Sequence, residues 1–469
     1  MYNSARFLFV YCWDDPWIAV VAEDLHKAAR VLGCELYVLA SGTSCTIDKN
    51  AYINADFFKA NYFLSTFFKS LQYNQVDLHD LVDVECKLLE WDKARIHESK
   101  DEVRKKLEAW LAEAIIIMKI VQPDAAIIWN GMISKSAVYV AAARHLNIPV
   151  YHAEKGALPQ SWYIDPKGIN GQSSVASRNI GLDCERIERE AFQKILASID
   201  SKGESAWDQP QRQNLQTIRQ ALLIKPSQKV IFFPGQVNTD TNILLFSKYF
   251  KNSQDALTWL VTELPNTGYF ILAKPHPKGD LNIKDYEEII AAKGRVLPEI
   301  NVLDAIELAD CVVSINSTIA FEATLRAKPV LLLGEGILSD QDYISKFVPR
   351  EGASTQINAC IERYAAHKTE LHQRAISFAT YLYNRYYTYR NDDIKTLRLI
   401  ERLKDGIDAV GDKMLDQREI VAFFQEFPSA EIEKAFLRKA TYKDIDRWFS
   451  GSLILKALWK KIKRRLLAD

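Results

Sequence analysis

The sequence predicts an α/β protein built from two parallel-sheet domains and a helical C-terminal extension. Its 469 residues, 48% of them hydrophobic, exceed the roughly 250 to 300 residues at which one core stops growing. Short apolar runs alternate with stretches of helical periodicity, which is typical of βαβ units. We therefore expect domains over 1–210 and 215–385, and a helical region over 386–469 that crosses back and ends in a basic tail.

The first half begins with an apolar strand, a helix and a second strand. The remaining elements follow the same alternation, in the order "RFLFVYCW", "WIAVVAEDLHKAARVLG", "CELYVLAS", "DEVRKKLEAWLAEAIIIMKIV", "AAIIWNG", "AVYVAAARHLN" and "IPVYHAEKG". This order predicts a first Rossmann-like domain. The polar stretch over 199–214 has no apolar periodicity and is the predicted linker.

The second half repeats the alternation more clearly. Its predicted elements are "KVIFFPG", "SQDALTWLVTELP", "GYFILAKPHP", a helix near 284–293, "GRVLPE", "NVLDAIELA", "DCVVSIN", "STIAFEATLRA" and "KPVLLLGEG". We expect a second Rossmann-like domain, followed by helices from about residue 355 to 408.

Composition excludes several classes of protein. Lys plus Arg and Asp plus Glu both number 60, so no global charge favours nucleic acid as a partner. The run "FLFVYCW" is too short for a signal peptide or a membrane span. The seven cysteines form no C-x-x-C pair, which is typical of reduced thiols, and we expect a cytoplasmic protein.

An aromatic-rich stretch, "NADFFKANYFLSTFFKSLQ", interrupts the first domain. A core or interdomain helix and an acceptor-binding or lipid-facing surface both fit this composition. Periodicity does not separate them.

Polar residues at strand ends are the candidates for chemistry, because ligands of open α/β sheets bind beyond the carboxyl ends of the strands. In "SINSTIAFEA", Asn316, Ser317 and Thr318 lie where a strand becomes a helix. Free N–H groups and hydroxyls there suit a phosphate. An ordinary helix N-cap is the alternative.

The segment "AKPHPKGD" places His276 between two prolines, with Lys274 and Lys278 nearby. Such a rigid, cationic strand end suits a phosphate or a carboxylate. A purely structural histidine is the alternative.

Two carboxylates follow other strands. Asp240 stands in "GQVNTD" four residues after Gln236, and Glu154 precedes Lys155 and Gly156 in "HAEKG". If the domains face each other, Glu154 and Asp240 form the kind of carboxylate pair that performs glycosyl transfer. The alternative for Asp240 is a turn-forming side chain that bonds its own backbone.

Other chemistries lack their markers. The sequence contains no G-x-x-x-x-G-K-[ST], G-x-G-x-x-G, H-E-x-x-H or G-x-S-x-G motif, and its eight histidines are dispersed. Neither a cofactor nor a metal ion is expected.

These motifs resemble a known group of enzymes. "E-K-G", "Q-x-x-x-D", "K-P-H-P" and "N-S-T-x-x-x-E", in this order over about residues 120 to 335, look like bacterial GT-B glycosyltransferases of capsule and lipopolysaccharide synthesis, and most of all like the retaining β-Kdo transferases that use CMP-Kdo. The resemblance implies two Rossmann-like domains facing across a cleft, a CMP-sugar donor and a saccharide or glycolipid acceptor.

The resemblance also implies roles for individual residues. Asp240 would attack the anomeric carbon and form a glycosyl-enzyme, and Glu154 would deprotonate the acceptor hydroxyl. Gln236 would position Asp240 or the sugar, and Lys274 or Lys155 would offset the Kdo carboxylate. His276, Ser317 and Thr318 would hold the CMP phosphate, and Gly156, Pro277 and Asn316 would be further substrate-binding residues of these motifs.

Three other functions fit parts of the pattern. The H-P motif and a first-domain acid also resemble inverting bacterial sialyltransferases, in which Asp240 would be structural. A polyol-phosphate polymerase is a more distant resemblance. A noncatalytic capsule assembly or export protein with the same fold is the alternative from another class.

The tail "SLILKALWKKIKRRLLAD" has an apolar face and a basic face when it is drawn as a helix. Such a helix suits peripheral contact with the anionic cytoplasmic surface of the inner membrane. A terminal helix packed on the protein body is the alternative.

Overall fold

The computed structural model describes residues 5–13, 15–40, 52–54, 76–90, 97–179, 189–201, 210–277, 283–290 and 293–408. The first sheet and its helices comprise β1 (Arg6–Tyr11), α1 (Pro16–Val31), β2 (Glu35–Ala40), β3 (Tyr52–Asn54), α2 (His79–Leu89), α3 (Lys100–Val121), β4 (Ala125–Trp129), α4 (Ser134–His145), β5 (Val150–Lys155) and β6 (Ser161–Asp165).

The chain continues into a second α/β series. Its elements are α5 (Arg189–Asp200), α6 (Leu215–Ala221), β7 (Lys229–Pro234), α7 (Thr241–Phe246), α8 (Ser253–Glu263), β8 (Tyr269–Lys274), α9 (Ile283–Ile290), β9 (Gly294–Val296), α10 (Val302–Leu308), β10 (Cys311–Ser314), α11 (Thr318–Leu325), β11 (Val330–Leu332), β12 (Ser345–Lys346), α12 (Ala353–Ala366), α13 (Lys368–Tyr381), β13 (Thr388–Tyr389) and α14 (Asp393–Asp408).

The first sheet has the order β13-β6-β5-β4-β1-β2-β3. The strands from β5 to β3 in this order pair in parallel. Every residue of β4 is buried, as expected for a parallel strand with both faces covered. A core packed around α3 and α4 covers one face of this sheet.

The second sheet has the order β12-β11-β10-β7-β8-β9, and its strands pair in parallel. β7, the first strand of this sheet in the chain, lies between β8 and β10. From β7 the chain adds β8 and β9 on one side, and it then crosses over to add β10, β11 and β12 on the other side. This is the topological switch point at which open α/β sheets bind ligands. The predicted α/β class is confirmed, with two sheets in which most strands pair in parallel.

Contacts divide the chain into two compact units. The first comprises Met1–Glu154, Ile164–Pro166 and Thr388–Asp469, and the second comprises Lys155–Tyr163 and Lys167–Tyr387. The division differs from the predicted boundary between 210 and 215, because α5 packs on α13 within the second unit. The predicted linker begins in α5, and residues 202–209 lie outside the described residues.

The helical region that the sequence predicts from residue 386 belongs to the first unit from Thr388 onward. Its α14 packs on α1, and the Asn391 backbone N–H donates to Asp24 Oδ2 at 2.9 Å. The chain thus returns to the first sheet after it has completed the second.

Five cysteines of the described residues are free thiols, namely Cys12, Cys34, Cys86, Cys311 and Cys360. In the same part of the chain, no helix combines the length and apolarity that crossing a membrane requires.

Candidate functional site

The candidate site lies at the carboxyl ends of β7 and β10, the two strands that flank the switch point of the second sheet. Gln236 follows β7 and Asn316 follows β10, and both are buried. Gln236 Nε2 donates to Asn316 Oδ1 at 2.9 Å, and the Asn316 backbone N–H donates to Gln236 Oε1 at 3.1 Å. This amide pair, Gln236–Asn316, joins the two strand ends.

The side-chain nitrogen of Asn316 binds two other segments of the second unit. Asn316 Nδ2 donates to the carbonyl oxygens of Asn242 and Glu335, each at 2.8 Å. Because the side chains of the pair are bonded to protein groups, they fix the backbone that begins α11.

Ser317 is the N-cap of α11. Its Oγ accepts the Ile319 backbone N–H at 3.3 Å, which is the ordinary capping contact. Thr318, the first residue of the helix, is exposed. The N-terminus of α11 therefore offers backbone N–H groups and a hydroxyl in the region where an anion is favoured.

A pocket within the second unit opens beside this helix N-terminus. About 460 Å³ of it is not filled by protein atoms, and this volume includes open solvent. Its polar lining combines an ammonium group, amides and hydroxyls from Lys155, Asn170, Asn242, Asn316, Ser317 and Thr318. Its apolar lining comprises Ala157, Tyr163, Phe321, Leu332, Gly336, Ile337, Leu338 and Tyr387.

Two tyrosines support the wall of this pocket. The rings of Tyr163 and Tyr387 lie 5.9 Å apart. Tyr387 OH accepts the Ala157 backbone N–H at 3.1 Å, which holds the segment after β5 in place. Burial raises the pKa of Tyr387 above its ordinary value, so its hydroxyl stays protonated.

Asp240 is the N-cap of α7, and its Oδ1 accepts the Asn242 backbone N–H at 2.7 Å. Part of the side chain is exposed. Desolvation by the surrounding protein raises the pKa of Asp240, whereas the Asn242 hydrogen bonds and the charge of His276 lower it. The structure thus places Asp240 and His276 within electrostatic reach of each other.

Lys274 ends β8 and is buried, and its Nζ donates to the Pro298 carbonyl at 2.5 Å. Burial lowers the pKa of Lys274. Pro277 is exposed, and Lys278 lies outside the described residues. The "K-P-H-P" segment therefore has an inward lysine and a partly exposed histidine.

Glu154 lies near the end of β5 in the first unit and is half-buried. Its Oε2 accepts a hydrogen bond from Asn130 Nδ2 at 3.0 Å. The chain then passes into the second unit, where Lys155 is exposed and lines the pocket. The Gly156 backbone N–H donates to the Ser161 carbonyl at 2.9 Å.

Of the predicted residues, the structure brings Lys155, Asn316, Ser317 and Thr318 together around one pocket. Gln236 binds Asn316 of this group, and Asp240 and His276 follow β7 and β8, which are neighbouring strands of the same sheet. Glu154 and Asp240 belong to different units, so their pairing stays a prediction.

Four pocket residues belong to none of the predicted motifs, namely Tyr163, Tyr387, Asn170 and Asn242. Asn242 follows Asp240 by two residues, so its nearness to a strand end could have identified it. Tyr163 and Tyr387 lie far apart in sequence, and no local pattern relates them.

Two segments that the sequence analysis named fall largely outside the described residues. The aromatic-rich stretch over 54–72 is described only at Asn54, which ends β3, and the basic tail over 452–469 lies outside the described residues. No group of three or more His, Cys, Asp or Glu that could hold a metal ion occurs in the described part of the chain.

Several known proteins are similar to this chain. Protein FixF of Sinorhizobium fredii is 25% identical over 225 residues, which are 46% of this chain and 50% of that protein, so the chain spans half the length of this curated relative. A solved structure of a β-Kdo 2,7-transferase, KpsC of Thermosulfurimonas dismutans, is 18% identical, covers 62% of this chain and 89% of its own, and has a TM-score of 0.37.

A Rickettsia africae glycosyltransferase structure is 11% identical, covers 87% of this chain and 99% of its own, and has a TM-score of 0.39. A model of the family described as "Capsule polysaccharide biosynthesis protein" matches residues 186–374, from the start of the second α/β series into α13. This segment of the chain thus matches the capsule synthesis class that its motifs resemble.

Proposed function

We propose that the chain is a glycosyltransferase of bacterial surface polysaccharide synthesis, which transfers Kdo from CMP-β-Kdo to a saccharide or glycolipid acceptor with retention of configuration. The observation that carries this proposal is the pocket at the switch point of the second sheet. It combines Lys155 with the N-terminus of α11, and these groups are complementary to an anionic sugar nucleotide.

Donor cleavage fits the charges of this edge. The anomeric C–O bond breaks and CMP leaves as a phosphate monoester, which gains negative charge as it leaves. The N–H groups and hydroxyls at the start of α11, together with Lys155, stabilise that charge where it develops. The proposed reaction therefore uses no metal ion.

In the proposed mechanism, Asp240 attacks the anomeric carbon and forms a glycosyl-enzyme. Glu154 then takes the proton of the acceptor hydroxyl as the hydroxyl oxygen displaces Asp240. Two displacements return the original configuration. Burial raises the pKa of Asp240, and the charge of His276 opposes this shift, so His276 would support the carboxylate that attacks.

Incubation with CMP-Kdo, CMP-sialic acid and related donors tests the reaction class. We expect CMP release that depends on CMP-Kdo and an acceptor. Release from CMP-sialic acid with inversion would support the sialyltransferase alternative, and release from no donor would support a noncatalytic assembly protein.

Mass spectrometry of the enzyme with CMP-Kdo and no acceptor tests the double displacement. The wild-type protein should gain the mass of one Kdo residue on the peptide that contains Asp240, and Asp240→Asn should not. A wild-type enzyme that releases CMP but forms no adduct under any trapping condition would contradict retention through Asp240.

The proposed acceptor surface includes the inner membrane, which the basic tail would contact from the cytoplasmic side. Deletion of residues 452–469 should reduce binding to vesicles that contain anionic lipid, as measured by co-sedimentation. Unchanged binding would remove the membrane from the proposal.

A further inference from the structure

A buried asparagine next to Glu154 carries an inference that rests on the proposed function and adds a residue to it. Asn130 follows β4 directly and is 6% exposed. Its φ is 60°, a left-handed conformation that side chains other than Asn, Asp and Gly seldom adopt. Gly131 follows with φ 74°, so the turn after β4 has an unusual backbone at two successive positions.

Both backbone polar groups of Asn130, its N–H and its carbonyl, contact β5. Its N–H donates to the Ala153 carbonyl at 2.7 Å, and its carbonyl oxygen lies 3.1 Å from His152 Nδ1. A carbonyl only accepts, so Nδ1 of His152 carries the proton. Burial lowers the pKa of His152, which favours the neutral ring in this arrangement.

The side-chain amide of Asn130 has one orientation that satisfies both of its neighbours. The Met132 backbone N–H donates to Oδ1 at 3.0 Å, so the oxygen must face Met132. The nitrogen then faces Glu154 and donates to Oε2 at 3.0 Å. A carboxyl oxygen accepts the amide N–H, so both contacts agree with this orientation of the Asn130 side chain.

Space around the turn is restricted as well. A Cβ at Gly131 would lie 2.6 Å from His152 Nδ1, so glycine is needed there for steric reasons besides its positive φ. The turn and the end of β5 are therefore packed against each other, and Asn130 has little freedom to release Glu154.

We propose that Asn130 is a positioning residue, which orients the carboxylate of Glu154 by donating a hydrogen bond to its Oε2. The hydrogen bond from Asn130 stabilises the ionised form of Glu154. Among the described residues of the first unit, His152 lies on the same face of β5 as Glu154, and Asp165 on β6 and Arg144 on α4 act on His152.

Asn130→Asp and Asn130→Gly test the proposal, since both residues tolerate the left-handed backbone. Asn130→Asp keeps the acceptor for Met132 but sets a second carboxylate beside Glu154, and two like charges this close do not both ionise. The low-pH limb of kcat/KM should therefore move up by about one pH unit or more. Asn130→Gly should lower kcat by roughly 10- to 100-fold and leave the KM for the CMP-sugar unchanged.

Asn147 provides a matched control. It is exposed, has φ 55° and lies in the turn between α4 and β5 of the same unit. Asn147→Asp and Asn147→Gly should leave the pH profile and kcat at wild-type values. Equal effects at the two positions would overturn the positioning role, because they would show a general response to changes in these turns.

A second measurement separates this inference from the proposed function. Carbon-13 NMR of protein labelled at glutamate carboxyl groups, with the Glu154 signal assigned by Glu154→Gln, reports the titration of Glu154 without turnover. A higher midpoint in Asn130→Asp supports the contact even if no donor releases CMP, in which case only the proposed function fails. An unchanged midpoint overturns the inference, whatever the activity.

Discussion

One turn follows β4 in the first unit, and another follows β10 in the second. Each turn lies at the switch point of its own sheet, and the two sheets have related strand orders. The two turns nevertheless present opposite chemistry. After β4, Asn130 has a positive φ and binds Glu154 on the neighbouring strand, and Ile133 at the N-cap of α4 makes no side-chain capping bond. After β10, Ser317 caps α11 with an ordinary φ of −64°, and Asn316 binds protein groups on three sides.

The difference teaches how one topology serves two tasks. The first edge orients a carboxylate, which accepts protons, whereas the second edge orients N–H groups and hydroxyls, which hold anions. In each case a buried asparagine fixes the backbone, but only Asn130 donates a side-chain hydrogen bond to a carboxylate on the neighbouring strand. Variants at the two edges should therefore fail in different ways.

The largest expected effect is at the carboxylates. Asp240→Asn should lower kcat at least about 1,000-fold, because it removes the proposed nucleophile, and Glu154→Gln should cost roughly 100-fold or more, as is usual for a general base. Stability should not change in Asp240→Asn, since Asn caps a helix as well as Asp. Steady-state kinetics measures the loss of activity in both variants, and urea unfolding checks their stability. Full activity in Asp240→Asn would leave Asp240 only its role as a helix cap.

Gln236→Leu breaks the amide pair of the second edge. It removes two hydrogen bonds and leaves the buried Asn316 N–H and Oδ1 without this partner, so the free energy of unfolding should fall by about 2–4 kcal/mol. Urea unfolding measures the loss, and the exposed Gln216→Leu is the control. A loss no larger than that of the control would show that the pair does not fix the edge.

A smaller effect is expected at Glu322, on α11 one turn after Thr318. Burial raises the pKa of Glu322 to about 7, although Arg326 lowers it. The folded state binds this proton more tightly than the unfolded state does. The bound proton therefore adds to the free energy of unfolding below the unfolded pKa of about 4.5, and this stabilisation is lost as the pH rises through about 7.

Glu322→Gln should therefore match the wild type near pH 4 and be more stable near pH 8, by about 1–2 kcal/mol. Unfolding in urea across this pH range measures the difference. The exposed Glu362→Gln on α12 should follow the wild type throughout. Parallel profiles for Glu322→Gln and the wild type would contradict a raised pKa at this position.

The smallest effects separate Ser317 from Thr318. Ser317→Ala removes the N-cap of α11 and should cost about 1 kcal/mol of stability. Thr318→Ala leaves the cap in place and should weaken CMP binding about tenfold by the loss of one hydrogen bond to phosphate, as measured by calorimetry. Equal binding in Thr318→Ala and the wild type would place the phosphate elsewhere in the pocket.

Much of the fold could be predicted because its central strands are largely apolar. β4, β7, β8 and β10 were predicted from runs such as "AAIIWNG" and "KVIFFPG", which local pattern alone identifies. The two-residue strands β12 and β13 were missed, since so short a segment carries no periodicity.

The sequence by itself determined the α/β class, the strand ends that carry polar residues, and the positions of Asn316, Ser317 and Thr318 at the start of a helix. These are local properties, because alternation and capping act within a few residues. Only the tertiary structure decided that Gln236 binds Asn316 across 80 positions of sequence, that Tyr387 supports the loop at Ala157, and that Asn130 holds Glu154. Such contacts depend on which strands become neighbours in the sheet, and strand order is set by the packing of the whole unit.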